Sequence, residues 1–258
     1  MKRFFFSIVL LLICLRVSAQ QTTETSQKTP EQIKRDQDWA NFQKAVEERY
    51  HNDWAWMKRY EEDNQKLPAP APGEQRVVFM GNSITQGWIE TDPEFFKTNK
   101  YINRGIGGQT TPQMLVRFRA DVINLKPAVV IILAGINDIA GNTGPTTLET
   151  IFGNIVSMAE LAKVNKIKVV LSSILPAYEI SWKKGIEPAE KVIKLNSMLK
   201  EYAAKNNLGY VDYHTPMADE RKGLPKDLAE DGIHPTLKGY KIMEPLAVKA
   251  INAALKKK

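Results

Sequence analysis

Short apolar runs alternate with amphipathic stretches along most of this 258-residue chain. Such runs are typical of strands buried on both faces, and the amphipathic stretches have the periodicity of helices. Repeated strand and helix imply a parallel sheet covered by helices on both faces. The predicted strands are residues 76–80, 101–103, 128–133, 168–172 and 209–211. The predicted helices are residues 112–124, 146–164, 188–205 and 236–256.

The first 19 residues differ in composition from the rest of the chain. Lys2 and Arg3 precede an apolar stretch over residues 4–15, and residues 17–19 have the small-residue pattern of a signal-peptidase site. About twelve apolar residues are too few to span a bilayer, which disfavours an anchor helix. We therefore predict a signal peptide over residues 1–19 and a secreted or periplasmic protein.

The single cysteine, Cys14, lies inside this signal peptide, so the mature chain would contain no disulfide. Lipid attachment at Cys14 is a lesser alternative, because the bulky Ile13 stands where such sites need a small residue. Removal of the signal lowers the formal net charge from +7 to +4. This mild positive charge is a weak argument for a polyanionic partner, so we predict no nucleic-acid partner. We also predict no stable membrane insertion after signal removal, whereas the oligomeric state is not indicated.

Residues 20–73 are predicted to form a helical N-terminal extension that ends in a proline-rich connector. Several aromatic side chains of this extension have two interpretations. They pack its helices onto the main domain, which is the usual role of aromatic stripes, or they form an exposed surface for stacking sugar rings. These side chains are Trp39, Phe42, Tyr50, Trp54, Trp56 and Tyr60. The main domain is predicted to cover residues 74–258.

A serine, a histidine and an aspartate stand in loops that follow predicted strands, where ligands bind in parallel sheets. Ser83 follows the first strand, either as a nucleophile facing a cleft or as a helix N-cap. A serine nucleophile needs a base, and His234 is the best one because Asp231 can accept the proton of its far ring nitrogen. His51 and His214 lack such a partner, and His214 is retained as a candidate pocket residue.

Gly108 and Asn137 are candidate donors to an oxyanion, because glycine lets a backbone amide approach closely and asparagine adds a side-chain donor. Each also has a plain structural explanation, in a tight turn or as a loop cap. The segment 105–110 partly matches a dinucleotide-binding fingerprint, but Thr110 replaces its last glycine. Asp138 fits a loop-holding role better than cation binding. The histidines and aspartates are few and scattered, so we predict no metal and no cofactor.

In combination, four sequence blocks resemble the SGNH hydrolases, also called the GDSL esterase and lipase family, and the resemblance extends over residues 76–254. The blocks are residues 81–83, 105–110, 135–138 and 231–235. The resemblance implies a flavodoxin-like three-layer α/β/α sandwich with a central five-stranded parallel sheet. It further implies that the protein is a carboxylic ester hydrolase that needs no cofactor.

The resemblance also implies the roles of five residues. Ser83 resembles the family's nucleophile, and His234 and Asp231 resemble the other members of a catalytic triad. Gly108 and Asn137 resemble the donors that form an oxyanion hole together with the Ser83 amide. The usual Gly-x-Ser-x-Gly elbow is absent at Ser83, which disfavours the unrelated α/β-hydrolase fold.

Residues 80–88 and 105–110 are most similar to the branch that contains platelet-activating-factor acetylhydrolase-like proteins and bacterial carbohydrate acetylesterases. We therefore expect a secreted esterase that removes short acyl groups, acetyl above all, from carbohydrate esters. Three alternatives stay open: a lipid ester hydrolase, an acyltransferase to a sugar hydroxyl, and a glycan-binding protein on a hydrolase scaffold. A small-molecule or glycan ester is the expected partner in the enzymatic cases.

Substrate contacts are predicted for side chains that lie near Ser83 or Asn137 in the sequence. The predicted substrate-binding residues are Asn82, Trp88 and Asp138. Asn82 stands where the family motif often has aspartate, and this exchange leaves the nucleophile intact. Ile89, Phe95 and Phe96 are further candidates for the pocket wall, although at least one phenylalanine is expected in the core.

Overall fold

The structure is a computed structural model that describes residues 28–257. The described residues divide into two compact units, with the boundary between Val46 and Glu47. The predicted signal peptide lies outside the described residues. None of the helices formed by residues 28–257 has the length and hydropathy that a membrane span requires.

Five parallel strands form one sheet in the second unit, in the order β2-β1-β3-β4-β5. This is the flavodoxin-like order, so the predicted fold class is confirmed. Each strand begins and ends within about two residues of its predicted bounds. The strands are β1 (Val77–Gly81), β2 (Ile102–Gly105), β3 (Val129–Leu133), β4 (Lys168–Ser172) and β5 (Gly209–Val211).

Ten α-helices accompany the sheet in the described part of the chain. They are α1 (Pro30–Asn52), α2 (Glu61–Lys66), α3 (Ser83–Thr91), α4 (Pro93–Asn99), α5 (Thr111–Asp121), α6 (Ile136–Ile139), α7 (Leu148–Val164), α8 (Ala189–Lys205), α9 (His214–Met217) and α10 (Leu237–Lys256). Helices α5, α7 and α8 pack along one another on one face of the sheet. On the other face, the Tyr240 hydroxyl of α10 donates to the Ile84 carbonyl of α3 at 2.8 Å.

The central strands are fully buried because they are continuous apolar runs between two helical layers. All five residues of β1 and all five of β3 are buried. Strand β3 pairs with β1 on one side and with β4 on the other. The chain leaves β1 and β3 toward opposite edges of the sheet, so their carboxyl ends flank the crevice where ligands bind in such folds.

An aromatic cluster fills the space between the sheet and helices α3 and α4. Trp88 is only 1% exposed, and its ring stacks on Phe95 at 5.1 Å and on Tyr240 at 5.3 Å. Phe96 is also buried and meets Phe79 edge to face. The predicted pocket-wall role is therefore wrong for Trp88, Phe95 and Phe96, because these side chains belong to the core.

The segment that follows α1 packs against the loop after β2. Trp56 has a left-handed backbone, with φ of 52°, which separates α1 from the next helical turn. The buried Tyr60 hydroxyl donates to the Gly105 carbonyl at 2.5 Å, and Gln109 Nε2 donates to the Ala55 carbonyl at 2.7 Å. The expected packing role of the extension's aromatics is confirmed for Tyr60. In the first unit, Trp39 stacks on its neighbour Phe42.

Candidate active site

Ser83 is the first residue of α3 and lies just beyond the carboxyl end of β1. The residue that caps this helix is Asn82, whose side-chain oxygen accepts the Ile84 amide at 3.0 Å. The alternative role of Ser83 as the N-cap is therefore wrong. Because Asn82 is fully buried and engaged in capping, its predicted contact with substrate is corrected to a role in shaping this turn.

Ser83, His234 and Asp231 are joined in one hydrogen-bonded chain. His234 Nε2 lies 2.9 Å from Ser83 Oγ, and His234 Nδ1 lies 2.6 Å from Asp231 Oδ2. These contacts connect the turn after β1 with the loop before α10, across 151 positions of sequence. The arrangement has the order and reach of a nucleophile, a base and a carboxylate that orients the base.

The Asp231 carboxylate is fixed by its own loop. Its Oδ1 accepts the backbone amides of Ile233 at 3.0 Å and of His234 at 2.8 Å, which leaves Oδ2 for the imidazole. Burial raises the pKa of Asp231, but these amides and the His234 ring outweigh burial and hold the pKa below its usual value. The carboxylate is therefore ionised and aligned at neutral pH.

Two backbone amides near the serine are available to a bound oxygen. Gly108 has a φ of 74°, a conformation that favours glycine, and a Cβ there would meet open space. Within residues 28–257, neither the Gly108 amide nor the Ser83 amide donates a hydrogen bond to another residue. Free amides of this kind can stabilise a developing oxyanion.

Asn137 lies at the start of α6 and is almost fully buried. Its Nδ2 donates to the Gln109 carbonyl at 2.9 Å, which ties the loop after β3 to the loop after β2. One amide nitrogen carries two hydrogens, so this bond leaves a second donor. The structure thus brings Asn137 against the residue that follows Gly108.

Asp138 is 4% exposed, and its carboxylate faces α5. It accepts the Thr111 amide at 2.9 Å and the Thr111 hydroxyl at 2.6 Å, and that hydroxyl accepts Asn154 Nδ2. Burial raises the pKa of Asp138 to about 6, although the bonds from Thr111 oppose this shift. The predicted contact of Asp138 with substrate is therefore corrected to a loop-holding role.

Two polar residues that the sequence did not indicate support the loops of the site. Gln86, one turn along α3 from Ser83, accepts the Gly107 amide at 2.8 Å. The fully buried Arg117 of α5 donates to the Gly81 carbonyl at 3.0 Å and to Gln109 Oε1 at 2.5 Å. Both residues resemble ordinary polar helix positions in the sequence, and only the tertiary structure gives them a role.

Trp182 is a third neighbour that the sequence did not indicate. It lies in the connection between β4 and α8, and its ring centroid is 5.9 Å from that of His234. Its indole N–H donates to Asn142 Oδ1 at 3.3 Å, and Asn142 Nδ2 donates to the Gly108 carbonyl at 3.1 Å. The indole is 44% exposed, so it borders the cleft without being part of the core.

His214 lies apart from this group, as the first residue of α9. Its amide donates to Ser173 Oγ at 2.9 Å, and burial lowers the pKa of its imidazole.

Among residues 28–257, no group of three or more His, Cys, Asp and Glu side chains is placed to hold a metal ion.

The chain is similar to several known proteins. A GDSL-like lipase of Bacteroides thetaiotaomicron is 53% identical, with a TM-score of 0.77, over 78% of this chain and 100% of that chain. An acetylxylan esterase of Xylanibacter ruminicola is 26% identical over 76% of this chain and 45% of its own length. Esterase TesA of Pseudomonas aeruginosa is 30% identical over 40% of this chain and 51% of its own.

The chain spans about half the length of the curated relatives it matches. The sequence profile of the GDSL-like Lipase/Acylhydrolase family matches residues 79–242, which include Ser83, Gly108, Asn137 and His234. The match covers more than half of the chain and all five strands except the first residues of β1. On these grounds the chain belongs to the GDSL-like lipase/acylhydrolase family.

Proposed function

We propose that this protein is a serine esterase that removes short acyl groups, acetyl above all, from carbohydrate esters. The observation that carries the proposal is the hydrogen-bonded chain from Ser83 through His234 to Asp231, at 2.9 and 2.6 Å. A serine hydroxyl is a weak nucleophile unless a base within this distance takes its proton. Membership of an acylhydrolase family supports the same reaction class.

In the first half of the reaction, Ser83 Oγ attacks the ester carbonyl while His234 Nε2 takes the hydroxyl proton. Asp231 stabilises the resulting imidazolium through its bond to Nδ1. The carbonyl oxygen becomes an oxyanion, and the amides of Ser83 and Gly108 with the Asn137 side chain are its donors. The imidazolium then protonates the leaving alcohol, and the acyl group stays on Ser83.

In the second half, water replaces the alcohol. His234 takes a proton from this water, whose oxygen attacks the acyl-enzyme carbonyl, and the same oxyanion donors serve again. Collapse of the intermediate returns the proton to Ser83 and releases the carboxylic acid. No step needs a metal or an organic cofactor.

The carbohydrate part of the proposal is supported by the acetylxylan esterase among the relatives, whose length this chain matches only in part.

Export is also proposed, from the signal-like composition of residues 1–19. N-terminal sequencing of the protein from its native host checks export, with a new terminus at Gln20 expected. Recovery of the protein only from the cytoplasmic fraction, with Met1 intact, would contradict export.

Hydrolysis of p-nitrophenyl acetate, butyrate and octanoate by the wild type, Ser83→Ala and His234→Ala tests the reaction. We expect the highest kcat/KM for acetate and a loss of at least about 1,000-fold in both variants. Highest activity on octanoate would favour a lipid ester hydrolase. Equal activity in all three proteins would overturn the proposal and favour a binding protein.

A further inference from the structure

Trp182 combines two properties: it is a large aromatic side chain that is 44% exposed, and its indole N–H is hydrogen-bonded to a neighbouring loop. The residues around it are anchored, since Ile180 is buried in the core and Lys183 Nζ donates to the Gly141 carbonyl at 3.2 Å. The indole itself is fixed through Asn142 to the loop of Gly108. Such a side chain offers a rigid contact surface at a small cost in conformational entropy.

The position of the indole indicates which part of a substrate it meets. Its ring plane is tilted by 30° from that of His234, at a centroid distance of 5.9 Å. In the proposed reaction, His234 delivers a proton to the leaving alcohol, so the alcohol part of the ester must lie beside this imidazole. The carbonyl oxygen is assigned to the amides of Ser83 and Gly108, and the indole reaches Gly108 only through Asn142, whereas its ring lies directly beside His234. Trp182 therefore borders the alcohol, not the acyl chain.

We propose that Trp182 is a binding platform for the alcohol moiety and that this moiety is a sugar ring. An indole face combines apolar area with a fixed polar edge, as suits a pyranose that has an apolar C–H face and hydroxyls at its rim. Lys183 and Asn142 provide polar groups at the same border. This inference rests on the proposed esterase function and adds the residue that binds the sugar part of the ester.

The test compares esters that share the acetyl group and differ in the alcohol. Acetate release is measured from ethyl acetate, which has no ring, and from mono-acetylated methyl β-xyloside. For Trp182→Ala we expect kcat/KM on the xyloside ester to fall about tenfold or more, mainly through KM, the usual scale for losing an aromatic anchor. On ethyl acetate the change should stay within about threefold.

Two variants serve as controls. Tyr178 is a second exposed aromatic residue of the same connection, and the Arg221 guanidinium lies over its ring, 5.3 Å from the centroid. Tyr178→Ala should leave both substrates within about threefold of the wild type, so it reports on general damage to the connection. Trp182→Phe should retain most of the preference for the xyloside ester, because it keeps an aromatic face.

An equal loss of kcat/KM on both esters in Trp182→Ala would overturn the platform proposal and show that the indole acts through His234. No loss on either ester would overturn it as well. Binding of xylotriose to Ser83→Ala and to Ser83→Ala/Trp182→Ala, by calorimetry, separates the platform from the esterase proposal. If the wild type hydrolyses no ester, tighter binding by the single variant still supports the platform, and equal or absent binding rejects it.

Discussion

Arg117 Nη2 donates to the Gly81 carbonyl at 3.0 Å, so a buried guanidinium of α5 holds the end of β1 two residues before Ser83. The same guanidinium donates to Gln109 Oε1 and forms an ion pair with Asp121 at 2.8 Å. Since the Gln109 carbonyl accepts Asn137 Nδ2, Arg117 fixes the backbone just before Ser83 and indirectly the loops that carry Gly108 and Asn137.

Arg117→Met should lower the free energy of unfolding by about 3–5 kcal/mol, because it removes the guanidinium that pairs with the buried Asp121 carboxylate. Urea denaturation followed by circular dichroism measures this change. Arg119→Met on the exposed face of the same helix is the control, with an effect within about 0.5 kcal/mol. Equal stability of the two variants would refute the role assigned to Arg117.

Gly108→Ala should lower kcat strongly and lower the free energy of unfolding only slightly. Alanine is strained at a φ of 74°, by roughly 1–2 kcal/mol, and relief of this strain would turn the amide away from the oxyanion. Loss of one donor lowers turnover by about 100- to 1,000-fold. Gly73→Ala is the matched control, because Gly73 has a φ of 81° and open space around a Cβ, but lies outside the site. Similar kcat in both variants would exclude the Gly108 amide as a donor.

Asp138 should make stability depend on pH between about 4 and 6. Its pKa is raised from 3.8 to about 6 in the folded protein, so the folded state binds more protons than the unfolded state in this window. The contribution of Asp138 to the free energy of unfolding therefore falls as pH rises, by about 3 kcal/mol in total. Asp138→Asn removes this contribution.

The measurement is urea denaturation of wild type and Asp138→Asn at pH 4, 5, 6 and 7. We expect the stability difference between the two proteins to change steadily between pH 4 and 6 and to level off above. A difference that stays constant over the whole range would show that the pKa of Asp138 is not raised by folding.

The sequence predicted those parts of the site that rest on local patterns. Apolar runs define the strands, and the three-residue spacing of Asp231 and His234 suffices to place a carboxylate beside an imidazole, as the 2.6 Å contact shows. The location of the loops at the carboxyl ends of the strands follows from the parallel sheet.

Other parts depend on tertiary structure. Trp88 lies close to Ser83 in sequence, but five residues of helix turn its side chain about 140° away, into the core. Asn82 and Asp138 were predicted to contact substrate, yet each is engaged by a neighbouring backbone amide. Trp182 reaches His234 only through the path of the connection after β4, which carries no periodic signal.

The most direct test of the central claim is covalent labelling with a fluorophosphonate, followed by mass spectrometry of the digested protein. The account predicts one phosphonylated residue, Ser83, labelling that is at least about 100-fold slower in His234→Ala, and none in Ser83→Ala. Labelling at another serine, or equally fast labelling of Ser83 in His234→Ala, would contradict the claim that His234 activates Ser83.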